Sequence, residues 1–246
     1  MKAGFLCFLI ALYYSSSFAQ GMDNDSTYLN NAKIQAIANF NKSIGEQSRL
    51  YSGREYFPYD QSIKGNALYP STVSTWLNGE VDYDGIVYKD IPLMYDTYKD
   101  EVVSLLYNKF SKYALLSDRV RSFSIFNHHF IRIEIDSLKK DKSGISTGFY
   151  DQLYNGKTEV LVKRIKEIQT NTSSFGIETY FTEKHEYYIR KGDAYYNVGG
   201  QGSFLKLFKD KKADLKKYMR EYKIKFKKDP EYAMTKLAAY YDFIAN

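Results

Sequence analysis

The sequence predicts an α+β protein: a curved, mainly antiparallel β-sheet meander with a short N-terminal helix before it and a C-terminal helical hairpin after it. Three observations predict this. Short runs rich in Tyr, Val, Ile and Phe recur from Val73 to Val198 with turn residues between them. No helical period of roughly 10–15 residues separates those runs, which favours a meander over βαβ units. At Ser203 the apolar spacing changes to three and four. Composition points the same way. The 25 Tyr and 16 Phe, against one Trp and four Pro, suit half-buried pleated sheet and argue against disorder.

Residues 1–19 read as a cleavable secretory signal. Lys2 supplies the positive start, the apolar run extends from Ala3 to Tyr14, and Ser17 and Ala19 are the small residues before Gln20. That run is short of the roughly 20 apolar residues a spanning helix needs, so the expectation is export with no transmembrane span after cleavage. The alternative is an uncleaved anchor. The single cysteine, Cys7, lies inside the signal, which leaves the mature chain without disulfides, thiol catalysis or thiolate metal sites. Residues 20–246 are expected to form one α+β domain, with the sheet at about 73–198 and the helical hairpin at about 203–245.

Within that domain, Ile34, Ile37, Phe40 and Ile44 predict an amphipathic helix over 31–45, capped by Asn30 or Asn31 and ended by Gly45. Residues 46–71 read as irregular, with Gly53, Pro58, Gly65 and Pro70 at turns. About eight to eleven strands are expected after that. The strongest local signal is Asp84-Gly85 between Glu80–Tyr83 and Ile86–Tyr88, a pair suited to the positive φ angles of a two-residue hairpin. Asn155-Gly156 and Gly192-Asp193 mark further turns. Phe204, Leu207 or Phe208, Leu215, Tyr218, Met219 and Tyr222 then form one helical face, with Ser203 as its expected N-cap. Asp229-Pro230 should start the second helix about five residues later, with Met234, Leu237, Tyr241 and Ile244 as its apolar stripe.

The chain resembles a family of secreted proteins of uncharacterised function that is frequent in Bacteroidota. The resemblance spans nearly the whole mature chain. It rests on Leu50–Tyr56, Gly79–Asp96, Gly148–Lys157, Tyr187–Ile189 with Tyr195–Val198, and the helical end at 209–218 and 223–242. It departs from the family pattern at Ala67-Leu68-Tyr69, where His-Pro-Tyr would be closer. What the resemblance implies is export in a Gram-negative bacterium of that group; it carries no activity with it.

Charge is distributed unevenly. Residues 203–228 hold ten Lys and one Arg against Asp210, Asp214 and Glu221, whereas the chain outside this segment and Lys2 has 23 basic and 26 acidic residues. A mildly acidic body therefore carries one basic element. Lys211, Lys212, Lys216, Lys217 and Arg220 are the candidate binding residues, suited to an anionic lipid, lipopolysaccharide or another acidic envelope partner. The plainer alternative is a solvated face whose lysine stems cover apolar surface. Nucleic acid suits the charge but not an exported protein.

Catalytic signatures are sparse. His128 and His129 are adjacent, so a strand points them to opposite faces, and with His185 they make no metal-ligand spacing. Asp82-Tyr83-Asp84-Gly85 reads as a turn and lacks the length of a calcium loop. There is no GxSxG, and Ser203-Phe204-Leu205-Lys206 lacks the boxes that accompany a catalytic SxxK. Neither metal nor cofactor is predicted. The expected function is a non-enzymatic exported protein, periplasmic, outer-membrane-associated or secreted, that binds a partner or an apolar or amphiphilic ligand. The alternative is a secreted hydrolase using paired carboxylates, with Asp82, Asp84, Asp90, Asp96, Asp100 and Glu101 as candidates.

Overall fold

The computed structural model describes residues 23–45, 48–72, 75–135, 144–174 and 176–245. The signal segment expected at 1–19 lies outside them. The chain divides into two units after Gly45. The first contains helix α1 (Asp23–Ile44), which begins eight residues before the expected start. Its added turns, Asp-Asn-Asp-Ser-Thr and onward, carry no apolar period, so periodicity alone missed them. Gly45 follows it with φ +50°, the left-handed residue expected to end a helix.

The second unit is a twelve-stranded, open antiparallel sheet followed by helices. Its strands are β1 (Gly53–Glu55), β2 (Leu68–Tyr69), β3 (Leu77–Tyr83), β4 (Ile86–Asp96), β5 (Glu101–Leu105) and β6 (Lys112–Leu115). They continue as β7 (Val120–Ile125), β8 (His128–Ile133), β9 (Gly148–Asn155), β10 (Thr158–Ser173), β11 (Gly176–Lys191) and β12 (Ala194–Asn197). The lateral order is β1-β6-β5-β4-β3-β7-β8-β9-β10-β11-β12, with β2 on β4. The β3–β4 hairpin turns at Asp84-Gly85 with φ +53° and +76°, as the sequence predicts. The main departure is length. β10 and β11 pair over sixteen residues each, longer than the short runs the sequence predicts.

The sheet folds back on itself. β4 and β9 are four positions apart in the order, about 19 Å in a flat sheet. Yet the Tyr95 ring meets Phe149 at 6.1 Å, Phe123 at 5.1 Å and Phe130 at 4.9 Å. The fold is closed at Asp100, whose carboxylate accepts from Tyr95 Oη (2.6 Å), Lys163 Nζ (2.5 Å) and the Phe149 amide (3.2 Å). Gly148 makes this approach possible: its φ is +152°, and a Cβ there would overlap the side chains of Asp100 and Lys163.

The helices are α2 (Gln201–Leu207), α3 (Lys212–Glu221) and α4 (Pro230–Ile244). The first expected helix is broken after α2, where Phe208, fully buried, packs between Phe204 (4.8 Å) and Tyr241 (4.3 Å). Ser203 is not the cap of α2; Gly200 is, and Ser203 Oγ donates back to the Gly200 carbonyl (2.9 Å). Asp229 caps α4 as expected, accepting from the Tyr232 amide at 2.9 Å with Pro230 in the first turn. The connector from α3 to α4 is residues 222–229, longer than expected. Tyr218 stacks on Tyr240 at 4.1 Å to hold the two helices together. Met234, Leu237 and Ala238 of α4 share one core with Val160 of β10 and Ile189 of β11, whereas Leu161 belongs to a separate core with Tyr150 and Tyr188. Alternate residues of β10 thus serve opposite faces.

Two polar pins fix α4 on the sheet. At its end, Asp242 accepts from the Thr158 amide (2.9 Å) and Tyr154 Oη (3.1 Å). At its start, Glu231 binds Arg164, which also donates from Nε (3.1 Å) and Nη2 (2.5 Å) to Asp151. Arg164 and Asp151 are 3% and 1% exposed. Burial disfavours the guanidinium charge, but the hydrogen bonds Arg164 donates to Glu231 and the charge of Asp151 outweigh it and hold Arg164 protonated. His128 Nδ1 donates to Asp151 at 2.7 Å and receives the Tyr69 hydroxyl on Nε2 at 3.1 Å. His185, opposite Arg164 in the β10–β11 register, donates from Nε2 to Glu183 (2.7 Å), which also accepts from Lys166 (3.1 Å). Burial would raise the Glu183 carboxyl; the bonds from Lys166 and His185 hold it below its usual value.

Replacing Arg164 by Leu leaves Asp151 buried without its cation. The expected loss is about 3–5 kcal/mol, read as a lowered urea midpoint, against about 1 kcal/mol for Glu231→Gln at the more exposed end of the same contact. Equal, small losses for both variants would contradict this picture of the seam.

Candidate functional site: a cationic groove on the helical hairpin

The basic segment forms one side of an open groove of about 890 Å³. Lys216, Met219, Arg220 and Lys223 lie at helical spacings of three and four, so one face of α3 and its end presents them together. The chain then runs through Lys223-Ile224-Lys225-Phe226-Lys227, where apolar and basic residues alternate. Ile224 and Phe226 turn inward, 7% and 5% exposed, and the lysines remain outside. Met219, Ile224 and Phe226 provide an apolar floor, with Ala213 and Gln201 completing the wall.

The backbone that builds this corner is a Schellman-type helix end. The Ile224 amide donates to the Met219 carbonyl (2.9 Å) and the Lys223 amide to the Arg220 carbonyl (3.3 Å). Lys223 occupies the left-handed position with φ +53°, where glycine is the usual residue. A lysine there costs about 1 kcal/mol relative to glycine.

No carboxylate is among the described residues lining the groove. Lys216, Arg220, Lys223, Lys225 and Lys227 make no ion pair with a described residue. Of the five residues selected from sequence, the structure brings Lys216 and Arg220 to the groove. Lys211 precedes α3 and Lys212 begins it, and Lys217 is one residue off the groove-facing row, so these three do not line it. Helical periodicity missed Lys223, Lys225 and Lys227 because they follow the helix in its left-handed end and the turn after it. The two-residue alternation of lysine with Ile224 and Phe226 was the signal available.

Most of the carboxylates that a hydrolase would need have other partners, whereas Asp90 is exposed in β4 and one oxygen of Asp82 is buried without a hydrogen bond. Asp96 is fully buried and accepts from Tyr56 and Tyr59 hydroxyls (2.8 and 2.7 Å) and from the amides of Tyr98 and Lys99. Asp100 closes the sheet fold, and Glu101 is paired with Arg54. Asp84 lines a second hollow of about 490 Å³ with Asp118 and Glu134, but Arg119, Arg121 and Arg132 line it too, so three acids meet three bases. Asp82 lies 3.9 Å from Arg121. The histidines are divided as expected for adjacent strand positions: His128 binds Asp151, and His129 binds Ser124 Oγ at 2.9 Å. Among the described residues no group of three or more potential ligands is arranged to hold a metal, and no helix is long and apolar enough to cross a membrane.

Comparison with known proteins returns no match to a family model, a curated protein or a solved structure. Function is therefore read from the groove itself.

Lys223→Gly separates the stability of this corner from its charge. The variant is expected to raise the urea-unfolding free energy by about 1 kcal/mol while removing one cation from the groove. A loss of stability would contradict the strained assignment of Lys223.

Proposed function

We propose that this is an exported, non-enzymatic protein of the cell envelope that binds an anionic amphiphile in the groove between α3, its connector to α4 and the start of α2. The observation that carries the reading is the pairing of an apolar floor with five cations that have no carboxylate opposite them. Binding sites for small molecules have volumes of about 300–1,000 Å³ and combine apolar walls with a few placed polar groups, and the groove fits both descriptions. The signal segment read in the sequence supports the location, since it delivers the chain to the compartment where such lipids are exposed.

The expected behaviour is retention on vesicles of anionic phosphatidylglycerol, weak retention on neutral phosphatidylcholine, and a steep fall as salt shortens the screening length from about 10 Å at 0.1 M towards 3 Å at 1 M. Lys216→Ala with Arg220→Ala should reduce retention without lowering the thermal midpoint, because both side chains are exposed. Retention indifferent to salt, or none on anionic vesicles, would falsify the reading.

A further inference from the structure

We propose that the groove selects amphiphiles whose head group carries two or more phosphate charges over those bearing a single carboxylate; this rests on the binding function above and names the ligand class of the same groove. Its ground is charge balance. Lys216, Arg220, Lys223, Lys225 and Lys227 bring five positive charges to one concavity that has no described carboxylate. Elsewhere the protein answers its buried or clustered cations: Arg164 has Asp151 and Glu231, Lys163 has Asp100, and the three arginines of the polar hollow face three acids. Lysines outside the groove, Lys211, Lys212 and Lys217 among them, also make no ion pair with a described residue, so what distinguishes the groove is that five such cations share one concavity. A carboxylate head would neutralise one of its five charges. A phosphate monoester carries about −1.5 to −2 near neutral pH, and a diphosphate carries more.

Donor chemistry agrees. Lysine ammonium groups and the planar fork of Arg220 are donors without acceptors, matched to the many acceptor oxygens of phosphates.

Backbone geometry places one of these cations: Lys223 takes the left-handed position at the end of α3 that turns the chain along the groove. The apolar floor then selects the source of the phosphate. Met219, Ile224 and Phe226 are 8%, 7% and 5% exposed at the base of the groove, and an alkyl chain laid over them, over Ala213 and over the lysine stems adds apolar contact that a free phosphate cannot make. The occupant is accordingly a phosphorylated amphiphile, held reversibly by its charged head and its chain.

Isothermal titration of the purified protein at fixed ionic strength tests this with four probes: dodecanoate, dodecyl phosphate, dodecyl diphosphate and inorganic diphosphate. Affinity is expected to rise in the order dodecanoate, dodecyl phosphate, dodecyl diphosphate, with at least a roughly tenfold gap between the first and last. Inorganic diphosphate should bind at least about tenfold more weakly than dodecyl diphosphate. Replacing exposed Lys225 and Lys227 together by Ala should weaken dodecyl diphosphate roughly 25-fold, about fivefold per lysine, and dodecanoate much less. Equal affinity for dodecanoate and dodecyl diphosphate overturns the selection by charge and leaves amphiphile binding standing. Inorganic diphosphate binding as tightly as its dodecyl ester overturns the amphiphile itself. Failure of all four probes removes the groove as a binding site, and an unchanged profile in the double variant moves binding elsewhere on the molecule.

Discussion

Arg164 sits almost fully buried at the seam between the folded-back sheet and the helical core, and the rest of the molecule is arranged around its need for counter-charge. A guanidinium cannot shed its proton, so burying it demands carboxylates in fixed positions. Asp151 comes from the neighbouring strand β9 and Glu231 from the first turn of α4. The consequence is positional. With Glu231 held, the start of α4 is held, and Asp229 two residues earlier caps the helix where the connector from α3 arrives. Residues 223–227 of that connector are one wall of the groove. A charge buried on the sheet thus helps set the place of the proposed binding groove, several residues along the chain from the carboxylate that answers it. Tyr69, stacked 5.0 Å from the guanidinium carbon, and His128 on the far side of Asp151 extend the same network into the aromatic core of the sheet.

How much of this was legible in the sequence depended on whether the controlling interaction was local. Asp84-Gly85 announced its hairpin because positive φ at two successive residues is a property of those residues. Asp229-Pro230 announced the start of α4 for the same kind of reason. The full length of β10 was hidden. Arg164 and Lys166 count as polar in any periodicity, yet they are 3% and 7% exposed because partners distant in sequence, Asp151, Glu231 and Glu183, neutralise them. The helix stop at Lys223 was hidden by the opposite circumstance: the residue that signals such a stop is glycine, and a lysine stands in its place. The break at Phe208 was also out of reach, since a phenylalanine packed between Phe204 and Tyr241 looks no different in sequence from one inside a continuous helix.

The candidate site was half legible on the same grounds. The concentration of lysine over residues 203–228 was plain from composition, and Lys216 and Arg220 followed from the helical face. The lysines that complete the groove lie beyond the helix, where the period becomes two. Composition locates a charge, but only the backbone decides which charges face one another. The structure turns a general basic element into a concavity with an apolar floor, and that combination is the ground for proposing a ligand site there in place of a merely solvated helix face.

The most direct measurement is native mass spectrometry of the protein purified, without detergent exchange, from the cells that make it, beside the Lys225→Ala, Lys227→Ala double variant prepared identically. If the groove binds a phosphorylated amphiphile, the wild-type spectrum shows a bound species whose fragmentation yields phosphate and an alkyl or acyl chain, and the double variant shows it depleted. A wild-type protein at its bare mass, or a bound species that persists undiminished in the variant, would contradict the assignment of this groove.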